Sequence, residues 1–276
     1  MSDAARFLTA RSIYVVGGFD EATGETTAAV ARYDIARDAW TQVKPMPIAV
    51  NHPTAATHRS KLYVHGGFTA ATTLANATDA LQRYDPAKDR WKRLPDSRLP
   101  RAAHALGEIG GKLYAAGGAN ASSDTLRSLE IYNVAKRRWR DGPDMAVGRN
   151  HVAGVVSKGR LYVLGGRPGN LDVAERYEPA KHEWRTVAPL DTPRSGFAAA
   201  AVGRRIVAFG GEEASGTIAP VELYDPRRDE WTSLPSMRTP RHGLGGASKG
   251  RRVFALEGGP QPAFHFSNAL EYLDVP

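Results

Sequence analysis

The chain has 276 residues, 42% of them hydrophobic, with a net charge of +8 and no cysteine. A core of ordinary size is therefore within reach, while a disulfide framework, a thiolate metal site and a cysteine nucleophile are excluded. The basic residues collect in short turns, at 36–38, 87–90, 135–140 and 226–230, where acids accompany most of them. That pattern reads as solvated surface, so nucleic acid is not an expected partner.

Asp3, Arg6 and Arg11 break up the apolar residues of the first segment, and no stretch approaches the roughly 18 apolar residues that span a bilayer. Neither a leader nor a membrane span is expected. The cytoplasm is the default compartment, with the periplasm or exterior as the choice if a leader has been removed.

In chain order, the first alternating apolar run, residues 12–16, stops at Gly17-Gly18. The same event recurs at Gly66-Gly67, Gly117-Gly118, Gly165-Gly166, Gly210-Gly211 and Gly258-Gly259, at spacings of 49, 51, 48, 45 and 48 residues. After each of the first five pairs comes a tyrosine and, seven residues on, a tryptophan: Tyr33/Trp40, Tyr84/Trp91, Tyr132/Trp139, Tyr177/Trp184 and Tyr224/Trp231. Each unit divides into four short apolar stretches between turn signals, which predicts four strands, a to d, and no helix. In the fourth unit these are the stretches around 151–157, 160–166, 173–178 and 183–187, and the six residues between Tyr177 and Trp184 make a tight c–d hairpin. Strand a is rich in alanine and glycine throughout, as an innermost strand crowded around a central channel requires. Four-stranded units repeating near 50 residues predict the blades of a β-propeller.

The glycine pair after an apolar strand, the tyrosine and the spaced tryptophan resemble the Kelch motif, and the resemblance covers essentially the whole chain. It implies an all-β, six-bladed Kelch-type propeller with four-stranded antiparallel blades, a galactose oxidase-like propeller in its Kelch-type blades. One domain, 1–276, is expected, with approximate blades 1–44, 48–95, 100–143, 148–189, 193–235 and 240–276. The glycine pairs, tyrosines and tryptophans are scaffold residues on this reading. The glycines permit close backbone approach at the end of strand b, and the rings supply blade-to-blade packing. The sixth unit has Leu273 in place of tyrosine and no tryptophan strand after it. Residues 4–8 count back to strand a of the first blade. A three-stranded last blade is therefore expected, or an upstream segment lost from this chain. The N-terminus as outer strand of that blade is the third possibility.

From the second glycine to the strand c aromatic position the counts are 15, 17, 14, 11, 13 and 14, whereas tyrosine to tryptophan is always seven. The variable b–c loops share one face with the d–a loops, and variation on one face of a repeat array marks a binding surface. The residues expected to ring the channel mouth there are Asn51, His52, Phe68, Arg101, His104, Arg149, Asn150, His151, Arg167, Arg194, Ser195, Glu212, Arg241 and His242, joined by Phe19, Asn120, Phe197 and Gln261. The arginines at strand a entry have two readings: each fixes loop carbonyls, or together they form an anion-attracting funnel.

Resemblance to protein-binding Kelch domains implies a partner protein loop or peptide held by entry arginines and post-glycine residues; a carbohydrate is the other expected ligand. Galactose oxidase chemistry needs a cysteine crosslinked to tyrosine and is excluded by composition. The alternative is a sialic acid mutarotase-like enzyme, with Arg149, His151, Arg194, His242 and Glu212 or Glu213 over the channel. No cofactor is expected. A metal held by His52, His151 and His242 is set aside because zinc needs nitrogens at about 2.0–2.1 Å, too close for residues spread around a channel mouth. A monomeric, noncatalytic recognition scaffold is the leading expectation.

Overall fold

The computed structural model describes residues 5–8 (backbone only), 12–122, 124–213, 215–262, 265 and 267–276. Its sheets follow the repeat. Blade 1 is β1 (Ala5–Leu8), β2 (Ser12–Val16), β3 (Val30–Asp34) and β4 (Ala39–Val43). Blade 2 is β5 (Thr54–His58), β6 (Lys61–His65), β7 (Leu81–Asp85) and β8 (Arg90–Leu94). Blade 3 is β9 (Ala105–Ile109), β10 (Lys112–Ala116), β11 (Leu129–Asn133) and β12 (Arg138–Asp141). Blade 4 is β13 (Ala153–Ser157), β14 (Arg160–Leu164), β15 (Ala174–Glu178) and β16 (Glu183–Val187). Blade 5 is β17 (Ala198–Val202), β18 (Arg205–Phe209), β21 (Val221–Asp225) and β22 (Glu230–Leu234), with the small hairpin β19 (Glu212–Glu213) and β20 (Gly216–Thr217) in its b–c loop. Blade 6 has three strands, β23 (Gly245–Lys249), β24 (Arg252–Leu256) and β25 (Leu270–Asp274).

All pairings are antiparallel meanders. The innermost strands form a ring in which β1 lies beside both β5 and β23, so the wheel closes with six blades. Because β1 pairs with β2 as the inner strand of blade 1, the N-terminal strand does not serve as the outer strand of blade 6. Among the described residues blade 6 has three strands, in line with the absence of a tryptophan after Leu273.

The seven-residue spacing has a geometric cause. Tyrosine and tryptophan are direct cross-strand partners, as in Tyr84↔Trp91 and Tyr224↔Trp231, and their rings lie 4.9 and 5.0 Å apart. The hairpin between them turns through a left-handed residue, Asp89 or Asp229, whose carboxylate accepts the tyrosine hydroxyl at 2.6 Å. That carboxylate also accepts a backbone N–H from the preceding blade, Lys44 or Ala188. Four of the five indole N–H groups reach back the same way: Trp91 to Lys44 O, Trp139 to Pro95 O, Trp184 to Pro143 O and Trp231 to Ala188 O, all at 2.8–2.9 Å. The apolar core is thus a set of layers between blades. Tyr162, Val187 and Leu190 of blade 4 pack on Ile206, Tyr224 and Trp231 of blade 5. Fully burying each such side chain contributes about 1.5–3 kcal/mol.

The glycine pair answers to the same crowding. Gly66 and Gly67 have φ of +65° and +105°, and a Cβ would lie 2.1 Å from Arg101 O at the first and 2.8 Å from Asn51 O at the second. In the sixth unit the motif shifts by one residue from the sequence reading. His242 bridges to Gly259 as Ser195 does to Glu212, so Glu257 (φ 53°) takes the first glycine position, Gly258 the second, and Gly259 the position after the pair. By the same register the residue after the pair in unit 3 is Ala119, not Asn120.

Candidate functional site

One face of the wheel gathers the d–a and b–c loops. In blades 2 to 6 the residue after the glycine pair bridges to the strand a entry of its own blade, as Phe68 does to Asn51 and Arg167 to Asn150. The second glycine donates to the carbonyl at the entry of the next blade, as Gly67 N to Arg101 O and Gly166 N to Arg194 O, both 2.9 Å. Both variable loop sets therefore meet around the channel.

The four entry arginines are not at the mouth. Arg101, Arg149, Arg194 and Arg241 are 0% exposed and pair with Glu130, Glu175, Glu222 and Glu271 of strand c. Other donors of theirs fix carbonyls: Arg101 binds Gly117 O and Arg194 binds Gly210 O, at 2.8 and 2.9 Å. Each glutamate in turn accepts backbone N–H groups of the d–a loop, as Glu222 does from Asp191 and Thr192. These guanidiniums brace loops, and the funnel reading does not hold for them. A sequence signal existed: each unit with the arginine has glutamate two residues before its tyrosine position, whereas unit 2, with Val50 instead, has Gln82. Gln82 does the same work without charge, accepting from Ile48 N at 3.0 Å.

His104 is also interior. It is 1% exposed and its Nε2 lies 2.6 Å from Thr54 Oγ1 and 2.9 Å from His65 Nδ1; His65 Nε2 meets Ser97 Oγ at 2.9 Å. Burial, and then the charge of Arg101, pushes His65 down to about 3. His104 is held well below the usual histidine range by burial, His65 and Arg101. Both rings are neutral structural members. Asn51, Phe68, Asn150, Ser195, Glu212 and His242 line the mouth from buried positions, and Phe197 is buried beneath it, with a Cβ at Gly165 lying 2.7 Å from its ring.

What faces the opening is a ring of left-handed residues two positions after each entry arginine or Val50: His52, Ala103, His151, Gly196 and Gly243, with φ of 50–58°. Backbone bonds link neighbours around it, Ala103 N to His52 O, Gly196 N to His151 O and Gly243 N to Gly196 O. His52 and His151, from blades 2 and 4, meet across Ala103 with ring centroids 5.0 Å apart. The mouth is narrower than the sequence reading supposed, because alanine between them carries nothing to hold the imidazoles apart. Among the described residues, however, no group of three or more His, Asp and Glu could hold a metal ion.

Each imidazole is oriented by its neighbour: His52 Nδ1 to Asn51 Oδ1 at 2.9 Å, His151 Nδ1 to Asn150 Oδ1 at 2.6 Å. Placing Nδ1–H on the amide oxygen makes Nε2 the acceptor of a neutral ring. Phe19 and Phe68 pack edge-on to His52 at 6.2 and 5.9 Å. On the other side stands Arg167, paired with Glu212 and 3.2 Å from Ser195 Oγ, with its side chain 38% exposed. Gly196 and Gly243 themselves add no side chain to that half of the ring. Below, the channel between inner strands encloses about 320 Å³, lined by Ala56, Gly107, Gly154, Ala200 and Ala247 among others.

The closed wheel and its repeated motif define the class: a six-bladed β-propeller built from Kelch-type units. Residues 3–174 match the Attractin/LZTR1 beta-propeller family model and residues 193–238 the Kelch motif, and the chain belongs to the Kelch-repeat β-propeller family. Relatives include the Kelch repeat and BTB domain-containing protein 1 of cowpox virus (strain Brighton Red), 27% identical over 41% of this chain and 20% of that protein. The Kelch-like protein terF of Aspergillus terreus is 39% identical over 33% of this chain and 21% of that protein. Alpha-scruin of Limulus polyphemus is 33% identical over 42% and 13%. The matches thus span about a fifth or less of these relatives. In fold, the chain superposes on the solved structure of YjhT with a TM-score of 0.84 at 15% identity, over 98% of this chain and 93% of that one.

Proposed function

We propose that this Kelch propeller is a noncatalytic binding scaffold whose ligand, a loop or peptide of a partner protein, sits on the mouth formed by His52, His151, Phe19, Phe68 and Arg167. The observation that carries this reading is the His52–His151 pair, held by Asn51 and Asn150 in left-handed backbone. Non-glycine residues pay about 1–2 kcal/mol for that conformation, and such strain concentrates at ligand sites. The imidazoles, backed by the buried rings of Phe19 and Phe68, and a partly exposed guanidinium on the other side suit a peptide that offers a ring or aliphatic group next to a carboxylate.

The test compares partner recovery by the intact protein, by His52→Ala/His151→Ala with Arg167→Glu, and by Arg137→Glu/Arg227→Glu on the opposite face. A partner retained by the last variant and lost by the first supports the reading; equal recovery by all three removes it. A mutarotase reading draws on the same two imidazoles as acid and base, but its sugar acid would have to draw Arg167 from Glu212. Anomer exchange of sialic acid no faster than in buffer removes it.

A further inference from the structure

Between successive blades the repeat sets one recurring group of four side chains. A tyrosine of strand b and its cross-strand partner on strand c of one blade face the strand c tyrosine and the left-handed hairpin residue of the next. Between blades 1 and 2 the four are Tyr14, Arg32, Tyr84 and Asp89, and between blades 4 and 5 they are Tyr162, Arg176, Tyr224 and Asp229. In both, the carboxylate accepts the buried tyrosine hydroxyl at 2.6 Å, and its charge cancels that of the arginine. Between blades 3 and 4 the group is Tyr114, Ile131, Tyr177 and His182, and Tyr177 Oη meets His182 Nδ1 at 3.0 Å. In these three slots the arginine and the carboxylate are both present or both absent.

The slot between blades 2 and 3 breaks the rule. Its four are Tyr63, Arg83, Tyr132 and Arg137. Arg137 takes the left-handed position of Asp89 and Asp229, with φ 51°, so a group that sums to zero elsewhere carries two positive charges here. Lys92, the cross-strand neighbour of Arg83, adds a third. The acids nearby are engaged, Asp85 by Lys61 at 2.6 Å and Glu108 by His58 at 2.9 Å. Among the described residues no carboxylate pairs with Arg83, Lys92 or Arg137. Tyr132 is 0% exposed, and its hydroxyl is buried without a hydrogen-bond partner. Burial holds that hydroxyl above the ordinary tyrosine range, against the pull of Arg137 and Arg83. Both guanidiniums can only donate, so neither supplies the acceptor a buried hydroxyl requires.

We propose that the slot between blades 2 and 3 binds a small dianionic oxyanion of the sulfate or phosphate class, which accepts from the Tyr132 hydroxyl and from the guanidiniums of Arg83 and Arg137. The anion plays the part of Asp89 and Asp229 in their own slots. It needs two charges where they have one, because arginine in place of aspartate changes the sum by two. Arg137 is exposed and Arg83 half-buried, so rotation of the Arg137 side chain opens the slot to solvent, and planar guanidiniums grip such oxygens in pairs. The slot lies on the face away from the channel mouth, and the inference does not rest on the function proposed above.

Sodium sulfate is titrated into the intact, isotope-labelled protein to about 20 mM at constant ionic strength, with chloride as the balance, a range in which millimolar binding is readable. Amide and indole N–H resonances follow the titration. The expected result is saturable shifts at residues 83–84 and 132–138 and at the indole of Trp139, whose ring lies 5.1 Å from that of Tyr132. Inorganic phosphate should match sulfate, and acetate should bind at least about tenfold more weakly. Arg137→Asp puts back the residue that holds this position in blades 2 and 5, so it is expected to fold and to lose the shifts. Tyr132→Phe is expected to weaken sulfate about tenfold, as the loss of one hydrogen bond to a charged group does. Arg227→Asp, the same charge change on the blade 5 hairpin, is expected to leave the shifts as they are. Shifts that drift without saturating, that survive in Arg137→Asp, or that are equal with acetate overturn the proposal. So does unchanged affinity in Tyr132→Phe, since the hydroxyl would then be served by water alone.

Discussion

Replacing Glu222 by glutamine keeps the volume of the side chain and removes only its charge. Arg194 then remains 0% exposed with three carbonyls, Thr192, Gly210 and Pro220, at 2.9–3.2 Å but without its counter-ion at 2.5 Å. A guanidinium left uncompensated in the interior costs about 3–5 kcal/mol. The molecule carries its own alternative in unit 2, where Val50 and Gln82 stand at the same two positions. Arg194→Val/Glu222→Gln copies that solution. It leaves carbonyls short of a donor, at about 1–3 kcal/mol, but buries no lone charge. Urea denaturation of wild type, both single variants and the double closes a thermodynamic cycle. The double variant should be more stable than Glu222→Gln alone. If Glu222→Gln loses less than about 1 kcal/mol, or if the double falls below it, the ion pair is not what braces the d–a loop and the argument fails.

Three more outcomes follow from the same geometry. Because the folded state keeps His65 neutral down to about 3 while the unfolded chain protonates below about 6.5, stability is full above that pH and falls as pH drops toward 3; His65 alone removes about 2 kcal/mol by pH 5, His104 acts in the same direction, and His65→Gln should flatten that limb of the pH–stability curve. Gly66→Ala should prevent folding or cost several kcal/mol, since its Cβ meets Arg101 O at 2.1 Å, whereas Gly159→Ala, with φ +73° and nothing within 4 Å, should cost only about 1 kcal/mol by thermal denaturation. Trp91→Ala should lose about 3–5 kcal/mol, while Trp40→Ala, with 45% of its surface already exposed, should lose well under half as much; equal losses would contradict an open seam between blades 6 and 1.

The wheel was legible in the sequence because its signals are backbone constraints. A glycine pair can be read wherever a neighbouring carbonyl leaves no room for Cβ, and the tyrosine-to-tryptophan count is fixed by one hairpin geometry. The open sixth blade was legible too, from a missing residue. The site was less so. An arginine before a strand looks the same in sequence whether its guanidinium turns to solvent or into the blade, and only its pairing with glutamate across units 3 to 6, broken together at Val50 and Gln82, distinguishes the two. The meeting of His52 and His151 had no local signal at all, because it joins blades that are not neighbours and depends on a single alanine between them. Gly259 misled for a related reason: two adjacent glycines suggest the motif, but the strand register gives its first position to Glu257.

Amide hydrogen exchange of the protein with its captured partner bound and free tests most directly whether recognition is located at the channel mouth. The account predicts slowed exchange at residues 51–52, 150–151 and 167–171 and no change in the c–d hairpins at 86–89, 135–137 and 226–229. Protection of those hairpins, with the mouth unchanged, would contradict it.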